Sequence, residues 1–231
     1  MKNELIKPKG LVKENPRRQF LKMGGLTVAG AGLLLMGCND EDSMPDMSGK
    51  VNLGSGDTGI LNYAYALEQL EAAFYAQVMM GGFFANANAE EKTIFGDLEK
   101  HERAHREFFK VALGANAIAD LEVDFSSIDF SNRTSVLAAA KTFEDLGVAA
   151  YNGAGQFLES ADLLLIAGKI VSVEARHAAA IRDLINPNSV DFAGDDLIDA
   201  NGLERTLNFQ QVLTAASAFV KTEIDFSGLP S

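Results

Sequence analysis

Cysteine is all but missing from this chain: Cys38 is the only one in 231 residues. That excludes an intramolecular disulfide and any thiolate-rich site for a soft metal. Proline is scarce, at five residues, while 47% of the side chains are hydrophobic. A disordered or fibrous chain is excluded, and the length suits one globular domain with a sizeable core. Positive charge is in deficit, with 20 Lys and Arg against 32 Asp and Glu. Such a surface repels nucleic acid and anionic lipid, so no nucleic-acid partner is expected. Strand-like alternation is absent beyond a few residues near "LEVDF" (121–125), and no solenoid-type repeat occurs. Histidine is rare as well, with three copies, so the position of each one carries information.

What is present begins with an unusual N-terminus. Residues 1–37 hold seven of the 20 basic side chains and two of the 32 acidic ones, followed by an apolar run from Met23 to Gly37. That run is too short for a comfortable transmembrane helix and has the layout of an export signal. "PRRQFLK" (16–22) resembles the twin-arginine export motif, with Pro16 where Ser or Thr is usual. "LMGC" (35–38) resembles a lipobox, which implies lipid attachment at Cys38, a membrane anchor there, and a periplasmic or cell-surface location. Removing residues 1–37 leaves 13 basic and 30 acidic side chains, a net charge of −17. Residues 38–57 are polar, acidic and rich in Gly and Ser, and are expected to form a flexible tether to a domain spanning 58–231.

From about residue 58 the apolar periodicity is helical. A first helix is expected over Thr58–Met80, with Asp57 as N-cap and Gly81-Gly82 closing it. A second follows Asn88 and ends near Gly114; a third spans about Ser135–Leu158; a fourth starts after Ser160 and stops before Asn186-Pro187. A shorter helix is expected over 209–220. Two short links and one long connection between the second and third helices describe an all-α four-helix bundle with a long crossover, plus a C-terminal helix.

Each of the four helices carries its ionisable residues mid-way along a mainly apolar stripe. They are Glu68 with Tyr75 on the first, Glu102 with His105 on the second, Glu144 with Tyr151 on the third, and Glu174 with His177 on the fourth. The chain thus reads Glu-x6-Tyr, Glu-x-x-His, Glu-x6-Tyr, Glu-x-x-His. Residues three apart share a helix face, so one Glu can bridge two cations while its His binds one of them. A lone carboxylate buried there would cost several kcal/mol unless paired or metal-bound. Glu71 is the rival to Glu68 on the first helix; Glu68 is favoured because it alone repeats the seven-residue spacing to Tyr. His101, one turn before His105, reads as a partly solvated surface residue or as a neighbour of the ligand set. Lys141 is expected to extend its charge toward solvent.

The motif resembles the ferritin-like superfamily, whose bacterioferritins and rubrerythrins carry such ligands. "ILNYAYALEQLEAAFYAQV" (60–78) and "FQQVLTAASAFV" (209–220) resemble a ferritin-like group that includes desiccation- and stress-related proteins. The resemblance covers about 58–220. It implies Glu68, Glu102, His105, Glu144, Glu174 and His177 as ligands of two iron or two manganese ions. Tyr75 and Tyr151 would orient carboxylates or supply an oxidisable phenol. The implied activity is redox chemistry on oxygen, peroxide or ferrous iron, of a ferroxidase- or catalase-like kind. The other reading is a structural or stress-protective bundle without catalysis. A homo-oligomer is left open, although a closed iron-storing cage fits poorly with a lipidated N-terminus.

Overall fold

The structure, a computed structural model, describes residues 49–230. Residues 1–37, expected to be an export signal, and Cys38 lie outside the described residues. Four helices form the bundle: α1 (Gly56–Met80), α2 (Ala89–Leu113), α3 (Arg133–Ala154) and α4 (Ala161–Ile185). A shorter α5 (Phe209–Ala216) covers one end, and a single helical turn, Gly82–Asn86, lies between α1 and α2.

α1 is the central element. It carries apolar residues on every face, and most of its length is buried, against α2, α3, the crossover and, through Tyr63 on Phe209, α5. It ends at Gly81, which is extended rather than left-handed, and whose added Cβ would lie 2.6 Å from the carbonyl of Phe130. Glycine is needed there for close approach, not for a left-handed cap. α2 opens after Asn88 with a capping box: Asn88 Oδ1 accepts from the Glu91 amide at 2.9 Å, and Glu91 Oε2 accepts from the Asn88 amide at 3.0 Å. The other oxygen of Glu91 takes Arg133 at 2.5 Å, joining the starts of α2 and α3. Asn132 and Ser160 cap α3 and α4.

The crossover tracks α1 from one end to the other. Asn62 donates to the carbonyl of Asn116 at 2.9 Å and accepts from the Ile118 amide at 3.0 Å. Gln69 accepts from the Leu121 amide at 2.7 Å, Phe125 packs on Phe74, and the Phe83 amide donates to Phe130 at 2.9 Å. The chain is thereby returned to the end of the bundle where α2 began, so α3 runs parallel to α2 and antiparallel to α1.

Several expectations need correction. The tether is expected to reach residue 57, but from Val51 the chain is folded: β1 (Val51–Asn52) pairs in parallel with β2 (Ile224–Asp225), and Leu53 is fully buried. Asp57 is not the N-cap of α1. That position is Ser55, and Asp57 instead accepts from the amides of Glu159 (2.8 Å) and Ser160 (3.0 Å) at the entry to α4. α3 ends as an α-helix at Ala154 and tightens into a 3-10 turn, Gly155–Phe157. α5 stops at Ala216, because Val220 leaves to bridge Val123 of the crossover. Lys141 reaches toward Asp145 (3.9 Å) and Asp196 (3.8 Å) at the bundle edge. No helix among the described residues is long and apolar enough to cross a membrane.

Candidate metal centre

The four bundle helices deliver their glutamates, and α2 and α4 their histidines, to the middle of the core. Glu68, Glu102, Glu144 and Glu174 are fully buried, His177 is 3% exposed, and His105 is half-buried. Around His105 Nδ1 stand Glu174 Oε1 at 2.9 Å and Glu68 Oε2 and Glu102 Oε2 at 3.4 Å each. Around His177 Nδ1 stand Glu102 Oε1 at 2.7 Å and Glu144 Oε2 and Glu174 Oε2 at 3.4 Å each. Two groups result, Glu68–Glu102–His105–Glu174 and Glu102–Glu144–Glu174–His177, each with its ligand atoms within 4.8 Å of one another. Glu102 and Glu174 belong to both, one oxygen to each side, which is the placement of bridging carboxylates; Glu68 and Glu144 belong to one each.

None of these contacts has the geometry of a hydrogen bond. Glu68 Oε2, Glu144 Oε2, both oxygens of Glu102 and of Glu174, and Nδ1 of His105 and of His177 are buried without a hydrogen-bond partner. Donor atoms about 3 Å apart and out of hydrogen-bond geometry are what a six-coordinate cation with bonds of ~2.1 Å requires along its coordination edges. The donors are hard carboxylates with two imidazoles, a set suited to iron or manganese. The residues therefore fit a dimetal group.

The tyrosines exchange partners across the bundle. Tyr75 on α1 donates to Glu144 on α3, and Tyr151 on α3 donates to Glu68 on α1. The seven-residue spacing thus serves the other helix's glutamate, which antiparallel packing brings level with the tyrosine. Burial, reinforced by nearby carboxylates, raises both phenols well above their ordinary range, so both remain donors. Each terminal carboxylate has one oxygen fixed by a tyrosine and one left toward its cation group.

Burial also pushes Glu144 up to about 8 and Glu68 well above the carboxylate range. Glu102 behaves oppositely: burial would raise it, but His105 and His177 beside it hold it at about 2. Burial opposes a charge on the two imidazoles, yet the surrounding carboxylates push both up to about 12. Protons thus fill the positive role in the metal-free cluster, and cations must displace them.

His101 is exposed, but it is more than a surface residue. Its Nδ1 lies 2.9 Å from His177 Nε2, the ring nitrogen facing away from the cluster. An Nε2–H there fixes the tautomer that leaves His177 Nδ1 free for a cation. His105 has no such partner among the described residues. His101→Ala is therefore expected to weaken retention of the ion on the His177 side about 10- to 100-fold. Titration against a competing chelator, with the circular dichroism spectrum unchanged, checks it. Glu71, the rival on α1, is buried together with Glu68, but it belongs to neither four-residue group.

Residues 56–187, more than half of the chain, match the family described as the ferritin-like domain. The chain belongs to the ferritin-like domain family. No curated protein matches it significantly. The family match ends just after α4, so α5 and β2 of this ferritin-like chain lie beyond it.

Proposed function

We propose that this ferritin-like chain is a dimetal redox protein, holding two iron or two manganese ions between the four glutamates and two histidines. The observation that supports this reading most is the set of eight buried ligand-type atoms on these residues without hydrogen-bond partners. Such a set is costly in a protein that leaves it unused. Bound iron or manganese would supply one-electron chemistry toward oxygen, peroxide or ferrous iron. The chain's own contribution is geometric and electrostatic. Glu102 and Glu174 would each offer one oxygen to either cation, Tyr75 and Tyr151 hold Glu144 and Glu68 and offer oxidisable phenols, and the apolar core excludes water. The reading extends to an exported protein, anchored through Cys38 and carrying its metal on the outer side of the cytoplasmic membrane. Export after folding suits a metalloprotein loaded before it crosses.

The test is metal content by plasma mass spectrometry on protein from iron- and manganese-supplemented cells, beside a Glu102→Ala/His177→Ala variant. About two ions per chain in the wild type, lost in the variant, is the expected result. A folded wild type without stoichiometric metal would overturn the dimetal reading. A full site inert to oxygen and peroxide would instead favour the stress-protective bundle.

A further inference from the structure

Among the described residues, the buried side-chain oxygens and nitrogens without a hydrogen-bond partner lie on the six candidate ligands, with one exception. The exception is the hydroxyl of Tyr63 on α1. Tyr63 is 1% exposed, and its ring packs edge-on against Phe209 of α5, with 4.8 Å between ring centres. Burial raises the phenol above its ordinary range, so it stays a donor. An unpaired buried hydroxyl weakens a fold, and phenylalanine would fill almost the same volume without that cost. Packing alone gives this hydroxyl no use.

Tyr63 lines a narrow apolar cavity of about 20 Å3 in the bundle core, near the end where α1 and α4 begin. The space exists because small residues meet there: Ala64 on α1, Ala154 and Gly155 at the end of α3, and Ala167 on α4. The cavity adjoins the candidate metal centre. Of its other walls, Leu67 is next to Glu68, Phe109 is one turn after His105, and Tyr151 donates to Glu68. The second tyrosine of the centre has no such space beside it. Tyr75 is fully buried against Phe74 and Phe95, and Phe143 backs Phe74. Phe209, which holds the Tyr63 ring, lies beyond the residues that match the family, so this wall depends on the chain's own C-terminal extension.

The walls carry no charged side chain and, with Tyr151 already donating to Glu68, one free donor. A water molecule needs two to four polar partners, and a hard cation needs several oxygen ligands. Neither suits such walls. A short molecule with an apolar body and a single acceptor oxygen does. We propose that the cavity binds a small ketone or aldehyde, its carbonyl oxygen on the Tyr63 hydroxyl and its alkyl body among the alanines beside Tyr151. The site is separate from the two cation positions and does not depend on the dimetal reading. It sets the bound molecule on the Glu68–His105 side of the centre.

The experiment uses the chelator-stripped full chain with acetone as the probe. Saturable shifts of the Ala64, Ala154 and Ala167 methyl signals in a nuclear magnetic resonance titration are expected, with a lowered carbonyl stretching frequency for the bound ketone. Tyr63→Phe keeps the ring and its packing on Phe209. It should weaken binding about 3- to 10-fold and return the carbonyl stretch to that of an unbonded ketone. Ala167→Leu, which fills the cavity from its half-buried α4 wall, should abolish the shifts at Ala64 and Ala154. Absence of any saturable shift in the wild type would overturn the proposal. So would equal affinity and an equal carbonyl stretch in Tyr63→Phe, which would leave the cavity a packing gap. Shifts that persist in a folded Ala167→Leu protein would place acetone elsewhere and overturn it too. If that variant does not fold, the Tyr63→Phe comparison decides alone.

Discussion

The metal-free protein is expected to lose stability steadily as pH rises from about 5 to about 8, and the loaded protein is not. In the metal-free fold burial pushes Glu144 up to about 8, and against the cost of burial the surrounding carboxylates push His105 and His177 up to about 12. A group whose pKa is raised by folding stabilises the fold below its unfolded pKa, and that contribution is lost as pH climbs toward the folded value. For Glu144 the window opens at about 4.3 and closes near 8; for the imidazoles it opens at about 6.5. Glu102, held at about 2, works the other way and matters only on the acid side. Each proton released per unit pH is worth about 1.4 kcal/mol, or roughly 3–5 °C of melting temperature for a domain of this size. Metal reverses the trend, because its binding becomes easier as those protons leave. The gap between loaded and chelator-stripped protein should therefore widen with pH. Calorimetry at pH 5, 6, 7 and 8 checks it, and Glu144→Gln should flatten the metal-free profile. A flat profile for stripped wild type would contradict the prediction.

The second large effect is steric. Gly153 sits on α3 where the Leu207 carbonyl comes so close that an added Cβ would be 1.9 Å from its oxygen. The same contact carries the bond from the Leu207 amide to the Ala149 carbonyl, 3.1 Å, and it feeds directly into α5, whose Phe209 and Val212 are buried. Backbone on both sides leaves nothing flexible to yield. Gly153→Ala should cost about 3 kcal/mol or more, a fall of roughly 6–12 °C in melting temperature. The contrast is Gly168→Ala on α4, where the added methyl meets nothing within 4 Å. There the gain in helix propensity should stabilise by about 0.5–1 kcal/mol. Thermal melts of the two variants should move in opposite directions.

The bundle was legible because its signals are local. Asn88 with Glu91, Ser160, and Asn186-Pro187 mark helix ends by chemistry that needs no tertiary partner. The six-residue cluster was legible because the same two spacings occur twice at mid-helix, where lone charge is expensive. What was not legible depends on residues far apart in the chain. Val51 and Asn52 look like tether until Ile224 and Asp225 are beside them, and Asp57 looks like a cap for α1 until Glu159 and Ser160 arrive. His101 becomes the partner of His177 only when α2 and α4 pack. One helical wheel cannot show that Glu71 is seated against Gly147 on another helix, outside both four-residue groups.

The division of candidate ligands between hairpins has a consequence for how such a centre can arise. The hairpin of α1 and α2 supplies Glu68, Glu102 and His105, three of the four residues around one position; that of α3 and α4 supplies Glu144, Glu174 and His177 around the other. Each lends the other a single bridging glutamate and a tyrosine hydroxyl. One hairpin meeting a copy of itself would complete both positions at once. Joining the copies end to end by the crossover would then free each half to diverge, and the Glu71–Gly147 pair is the kind of inequality that only a fused chain can hold.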